Sequence, residues 1–515
     1  MPKVKVAYDK KVENQLLLGS GEEFYGSGAL VILKSLLQSG ISYFASYPGS
    51  PTSTVTTLVS SVKDNLLREM GMHAEESSNE AAAAAALRAS ISNRVRGAAA
   101  FKIVGFNVAS DAIAHIASSG VTGGAVMLVG EDYGCNNTIV AEKSLPYAYK
   151  SGLPVLDSSS NLQHLSDLIE GAFDLSEYCG SPVIVIVRGR VGYMSGVVKA
   201  RDNKFPEVPS IRDEALEKIP FPPYSQMQEA EKYEFRLPRA AEFVKEEGIN
   251  KTYNSDSDGR RGIITHSILT NVVLSSLSSL GIKCPVYALY CLYPIVESEI
   301  VEFLKGKEEV LVVEEGMPNL IEKEIRAVAQ QNALKTKLFG KDVIPKAGEL
   351  SPDVVLGGIS SFFNIPQEGK EPQVNIGIPE RDPTFCTGCP ERPIFSAIKV
   401  MKRKYPKAKL LFGSDIGCYA LGGLPPFNLR GSVTGMGTGM ASSGALSKIA
   451  KERTISFMGD GTFWHSGLTT SVANALHNKQ DGILIVFYNY HTAMTGHQRN
   501  LSTPEYEESK KLEEV

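Results

Sequence analysis

Between Met458 and Gln498 the chain reads MGDGTFWHSGLTTSVANALHNKQDGILIVFYNYHTAMTGHQ, and this stretch limits the fold more than any other. An apolar strand over Thr454 to Met458 runs into Gly459, Asp460 and Gly461. A helical segment rich in Ala, Leu and Val follows, and a second strand, Ile483 to Tyr488, delivers Asn489. That order predicts neighbouring parallel strands with Asp460 and Asn489 at their C-terminal ends. Ligands of open α/β sheets bind at that edge. A carboxylate, an amide oxygen and a nearby backbone carbonyl are hard oxygen donors. They suit Mg²⁺, which takes few protein oxygens plus substrate phosphates. Gly459 and Gly461 let the backbone approach a diphosphate closely. Taken alone, Gly-Asp-Gly also fits an ordinary Rossmann-like turn.

The chain has 515 residues, enough for about three domains. Hydrophobic content of 43% and charged content of 21% are those of a globular protein. A net charge of −4 gives no footprint for nucleic acid or an anionic membrane. No apolar run reaches the length of about 18 residues needed to span a bilayer. The N-terminus, MPKVKVAYDKKVENQ, lacks an apolar signal core, so a cytoplasmic location is expected. Seven cysteines, an odd number, argue against a disulfide framework.

Taken in order, residues 1–20 read as an arm. Helix and strand then alternate over residues 21–205. Gly28 to Ser39 is patterned as an amphipathic helix, and the strand from Tyr43 to Tyr47 ends in Pro48-Gly49-Ser50-Pro51-Thr52-Ser53. This turn holds small hydroxyls at a strand end, which suits either a small anion or a plain helix start. Glu80 opens an alanine-rich helix, with its carboxylate toward the positive end of the dipole. Glu75 and Glu76 precede it. Residues 206–261 are rich in proline and charge and read as a linker. A smaller α/β domain over residues 262–345 shows no catalytic cluster, and residues 346–380 form a second connector. The last domain, residues 381–515, carries Gly435-Met436-Gly437-Thr438-Gly439 ahead of the Gly-Asp-Gly strand. Such a loop, opening a helix, can turn backbone N–H groups toward phosphate. Close helix packing is the alternative reading. Cys386, Cys389 and Cys418 fall short of the four ligands that zinc or an iron–sulfur cluster usually needs. Spacing alone leaves zinc, a cluster and inert thiols open.

The segments SYPGSPTSTV, SSNEAAAAAALRAS, FKIVGFNVASD, CTGCPERPIF, GSDIGCYALGGLPP and MGDGTFWHSGL…YNYHTAMTGHQ together resemble the large subunit of the indolepyruvate:ferredoxin oxidoreductase family. This is a branch of the thiamine-dependent 2-oxoacid:ferredoxin oxidoreductases. The resemblance runs from about residue 25 to the C-terminus. It implies three doubly wound α/β domains of the thiamine-diphosphate-enzyme type: pyrimidine-binding, transketolase-C-like and diphosphate-binding. It implies that Glu80 activates the cofactor by bonding to its aminopyrimidine, and that Ser50, replacing a family Thr, lies at the 2-oxoacid. Asp460, Asn489 and the His491 carbonyl match the family's Mg²⁺ ligands. Gly435, Gly437, Thr438, Gly459, Gly461 and Asp415 are the expected cofactor-binding positions. Cys386, Cys389 and Cys418 match three of four ligands of a [4Fe–4S] cluster.

The implied reaction is oxidative decarboxylation of an aryl 2-oxoacid to the acyl-coenzyme A, with electrons passed to ferredoxin. The implied partners are a small beta (gamma-type) subunit and a second copy, in a homodimer or heteromer. The family's fourth cluster cysteine lies beyond the TGHQ motif, and many members add a ferredoxin domain. A truncated or split chain is therefore expected. A non-redox thiamine-dependent decarboxylase and a non-catalytic assembly subunit are the rival expectations.

Overall fold

The computed structural model describes residues 9–134, 136–206, 215–257, 259–366, 383–407 and 409–504. The chain divides into two compact units that part between Gly369 and Lys370. The structure is α/β throughout, built on parallel sheets flanked by helices.

After helix Lys10–Leu16, the N-terminal unit has an antiparallel pair, β1 (Glu23–Ser27) and β8 (Ser195–Lys199). Its main sheet has seven strands: β2 (Tyr43–Ser46), β3 (His73–Glu76), β4 (Gly97–Lys102), β5 (Ala125–Glu131), β6 (Val155–Asp157), β7 (Val183–Arg188) and β12 (Cys291–Tyr293). Their order is β12-β6-β7-β5-β4-β2-β3, and all pairs are parallel except β12 with β6. β7 reads VIVIVR and is buried along its whole length. A continuous apolar run is what a strand covered on both faces requires. The chain turns from β2 to β3 on one side and returns to β4 on the other. The strand order therefore reverses between β2 and β4, a crevice-forming switch point.

A second sheet of the same unit orders as β14-β13-β10-β11-β9. These strands are β9 (Lys251–Tyr253), β10 (Arg261–His266), β11 (Val286–Leu289), β13 (Glu309–Val313) and β14 (Lys337–Phe339). Only β9 runs antiparallel. The expected small domain is therefore not separate from the first. Its β12 pairs in the seven-stranded sheet, and one compact unit holds both sheets.

Three local expectations need correction. Gly28–Ser39 is buried on every side rather than amphipathic. Its one charged group, Lys34, donates to Leu16 O, Leu18 O and Asn203 Oδ1 at 3.1, 2.5 and 2.6 Å. Burial pushes this amine down to about 8. The stretch expected to be a linker over residues 206–261 carries helix from Tyr224 to Glu246 and then β9. Buried Arg236 explains the packing. Its guanidinium donates to Ala117 O and Ser118 O, at 2.8 and 2.9 Å, at the end of helix Ile103–Ser119. A cation there meets the negative end of the helix dipole. The second connector likewise contains a helix, Pro352–Phe362, capped by Ser351. The rest of it, residues 367–380, lies outside the described residues, as do residues 1–8 of the arm.

The C-terminal unit has four parallel strands ordered β16-β15-β17-β18. They are β15 (Leu411–Ser414), β16 (Gly431–Val433), β17 (Thr454–Gly459) and β18 (Gly482–Phe487). An aromatic core of Phe395, Phe412, Phe457 and Phe487 fixes the sheet against helix Arg392–Lys404. β15 leads to β16 on one side, and the chain then crosses to β17 and β18 on the other. The switch point lies between β15 and β17. A short hairpin, β19 (His491–Thr492) with β20 (Gln498–Arg499), follows.

The two sheets of the N-terminal unit meet through buried charge. Arg188 lies 2.9 Å from Glu131, 3.2 Å from Asp157 and 3.3 Å from Glu315. His266 Nδ1 lies 2.8 Å from Asp157, and its Nε2 accepts from the Glu315 N–H at 3.3 Å. Burial opposes ionisation of Asp157, yet Arg188 and His266 outweigh it and hold the carboxyl below its usual range. Removing the hub takes the guanidinium from three buried carboxylates and leaves Asp157 with His266, and Glu131 and Glu315 with the N–H groups of Ser144 and Leu350. Arg188→Met is expected to lower stability by roughly 3–5 kcal/mol. Urea unfolding followed by circular dichroism checks this; a loss under about 1 kcal/mol would mean that the carboxylates find other partners.

Candidate functional site

Asp460 sits at the C-terminal end of β17 and opens a helix that continues to His477 through a widened π-helical middle. Its side chain is buried. Oδ2 accepts from the N–H groups of Asn489 and Tyr490, at 3.2 and 2.6 Å. Oδ1 accepts from Gly461 N at 2.7 Å and Asn500 Nδ2 at 3.2 Å. Burial raises the Asp460 carboxyl above its usual range, against these donors. The carboxylate thus joins the ends of β17 and β18, as the parallel register of Gly459 with Phe487 allows. Tyr490 turns through φ +67°, and Asn489 Oδ1 accepts from His491 N at 3.2 Å.

The glycine-rich loop stands over the same edge. Gly435 and Gly437 adopt φ +140° and +80°, a region open to glycine. A Cβ on Gly437 would meet Ser466 Oγ at 2.2 Å, so only glycine lets the loop approach the Asp460 helix this closely. Ser466 and Ser471 hydroxyls bind the carbonyls of Met436 and Gly437, each at 2.7 Å. Thr438 Oγ1 closes the loop onto Gly435 O at 2.9 Å. Helix Gly439–Ala450 starts at once, so its first-turn N–H groups face this edge.

Asp415, just beyond β15, is fully buried beneath the loop. Its Oδ2 accepts from Gly439 N at 3.4 Å, and its Oδ1 accepts from the Tyr419 hydroxyl. Burial raises this carboxyl to about 7. Burial, then the Asp415 charge, pushes the Tyr419 hydroxyl far above the usual tyrosine range.

These residues fit a diphosphate with its cation. Asp460 and Asn489 bring a carboxylate and an amide to one strand edge. Ser414 Oγ at the end of β15 and Thr492 Oγ1 beside Gly461 are buried without a hydrogen-bond partner. Among the described residues no group of three or more His, Cys, Asp or Glu is arranged to hold a metal ion. The Asp460 set relies instead on amide, carbonyl and phosphate oxygens. The cysteines do not reach that standard. Cys386 is exposed, and Cys389 and Cys418 are half-buried. Burial, then Glu391 and the other two thiols, raises Cys418 to about 11, so the groups share a neighbourhood without closing into a ligand set. Buried Cys179, Cys284 and Cys291 are pushed to about 12 and are inert thiols. Cys135 lies outside the described residues.

In the N-terminal unit, Ser50 lies in the turn after β2, with its hydroxyl 3.0 Å from Ser53 Oγ. Thr52 Oγ1 donates to Gly49 O at 2.7 Å. A Cβ on Gly49 would meet the Lys102 Cβ at 2.5 Å, which places the turn against the end of β4. Lys102 is a functional candidate that sequence reasoning missed. Its signal is a lone cation closing the small-residue strand GAAAFK at the switch point. Glu80 is buried in the first turn of its helix, which Asn79 caps by accepting from Ala82 N at 2.9 Å. Gly105 makes room for it, since a Cβ there would stand 2.3 Å from Glu80 Oε1. Glu75 and Glu76 are half-buried on β3, and Glu76 pairs with Lys63 at 3.6 Å.

Because the folded-state value of Asp415 is raised from 3.8 to about 7, the folded chain binds a proton more tightly than the unfolded one. Stability is therefore expected to fall as pH rises between about 4 and about 7, and to stop falling above that. Denaturant unfolding across this range, compared with Asp415→Asn, checks the sign. An identical slope in the variant would remove Asp415 as its source.

Residues 415–514 match the family described as thiamine pyrophosphate enzyme, C-terminal TPP binding domain. The chain is 31% identical over 499 residues to indolepyruvate oxidoreductase subunit IorA of Methanothermobacter thermautotrophicus, covering 96% of this chain and 79% of that protein. It is 30% identical over 536 residues to the same subunit of Pyrococcus horikoshii, covering 97% and 78%. A solved 2-oxoglutarate:ferredoxin oxidoreductase from Magnetococcus marinus shares the fold, with a TM-score of 0.54 and 16% identity over 66% of this chain and 65% of that one. Identity of 30% or more over nearly the whole chain and over more than three quarters of each relative places the chain in the family of indolepyruvate oxidoreductase IorA subunits.

Proposed function

We propose that this oxidoreductase subunit holds thiamine diphosphate and Mg²⁺ and takes part in the oxidative decarboxylation of an aryl 2-oxoacid such as indolepyruvate. The observation that carries this reading is the switch-point edge between β15 and β17, where Asp460 joins two strand ends beneath a glycine-rich loop. Asp460, Asn489 and the His491 carbonyl would hold the cation. Gly435, Gly437, Thr438, Gly459 and Gly461 would line the diphosphate. When bound, thiamine diphosphate supplies the carbon nucleophile that releases CO₂ from a 2-oxoacid.

The remaining work falls to the chain's own groups. Glu80, buried against Gly105, would exchange a proton with the cofactor's aminopyrimidine. The Ser50 hydroxyl, in the turn after β2, and Lys102, at the end of β4 with its ammonium donating to Asn137 O, stand at the switch point of the N-terminal sheet and would hold the substrate carboxylate. Two electrons per turnover would leave for ferredoxin, and coenzyme A would take the acyl group. Cys386, Cys389 and Cys418 are the candidates for a [4Fe–4S] cluster in the assembled enzyme. The names of the relatives support a partner subunit. Among the described residues no helix is long and apolar enough to cross a membrane.

Glu80→Gln keeps the shape of the side chain and removes its acid–base function. The variant should still bind thiamine diphosphate but lose turnover by about a hundredfold or more. Steady-state assays beside calorimetric binding check this; near-wild-type turnover would sink the role of Glu80.

A further inference from the structure

The crevice between β15 and β17 is bridged at its base by one side chain that the catalytic reading does not use. Tyr419 lies in the short turn Cys418–Gly423. It is buried, and its ring stacks on Phe487 with centroids 6.0 Å apart. Its hydroxyl donates to Asp415 Oδ1, beyond β15. The same oxygen lies 2.9 Å from Ile416 O and 3.1 Å from Thr462 Oγ1, beyond β17. Thr462 Oγ1 in turn lies 3.2 Å from Ile416 O. Asp415 reaches the glycine-rich loop through Gly439 N, and Thr462 is two residues from Asp460. The backbone makes way for the ring. A Cβ on Gly417 would lie 2.2 Å from it and one on Gly459 3.2 Å.

We propose that Tyr419 is a positioning residue that sets the spacing between the glycine-rich loop and the Asp460–Thr462 turn, the two halves of the diphosphate and cation cradle. Because it follows Cys418 directly, the same hydroxyl fixes the cysteine turn relative to that cradle. This rests on the reading of the C-terminal unit as a thiamine diphosphate site. A bound magnesium diphosphate must be met by donors from both halves at once. Losing the bridge lets each half relax separately, which weakens binding without emptying the aromatic core.

The test uses the full chain with Tyr419→Phe, which keeps the ring and removes only the hydroxyl. The probes are thiamine diphosphate with Mg²⁺ and magnesium pyrophosphate, both followed by titration calorimetry. Affinity for each should fall about tenfold. Thr462→Val should cost a similar factor, Thr462→Ser should restore it, and the Tyr419→Phe/Thr462→Val double variant should lose no more than either alone. A merely structural role would lower the melting temperature and give additive losses in the double variant. Either additive losses or wild-type affinity in Tyr419→Phe would overturn the proposal. A wild-type chain that binds neither probe would overturn the thiamine reading along with it, so the two failures are distinguishable.

Discussion

One carboxylate ties together the strand ends at the proposed cofactor edge of the C-terminal unit. Asp460 accepts N–H groups from Asn489 and Tyr490 across the strand pair and from Gly461 in its own turn. The ladder between β17 and β18 runs as far as Gly459 and Phe487, and the Asp460 carboxylate carries the connection past the last paired residues to Asn489 and Tyr490. The same oxygens that tie the strands are those a cation would share. Structure and chemistry are coupled in one group, and burial of that group raises the cost of its charge until a cation or a donor compensates it.

Topology repeats this logic in both units. In the seven-stranded and four-stranded sheets the strand order reverses beside the strand next to one edge, β2 in one and β15 in the other, and opens a crevice at the C-terminal edge. Polar residues gather at these edges where buried apolar strands such as β4 and β17 end. Ser50 and Lys102 follow this rule in the N-terminal unit, and Asp415 and Asp460 follow it in the other.

Much of this was legible in the sequence. Short apolar runs placed β2, β17 and β18 within a residue or two. Gly-Asp-Gly and the glycine-rich loop were readable because close backbone approach admits only glycine. Glu80 was readable as the residue that opens the alanine-rich helix, and the structure adds Asn79 as its cap. What escaped has a physical reason. Arg188, Asp157, His266 and Glu315 are far apart in sequence and show no spacing, and only packing of two sheets unites them. Residues 224–246 look like a linker because their charge faces solvent, whereas Arg236 points inward to a helix end. Tyr419 reads as an ordinary aromatic until its hydroxyl is seen between Asp415 and Thr462. β12 was unreadable as part of the first sheet, since its partner β6 lies in a stretch read as another domain.

The most direct test of the account is reduction of a viologen dye under anaerobic conditions by the natively purified complex, given indolepyruvate with and without coenzyme A. The account predicts dye reduction that depends on coenzyme A, with the acyl-coenzyme A as product. Release of an aldehyde without dye reduction would contradict it and make the chain part of a non-redox decarboxylase.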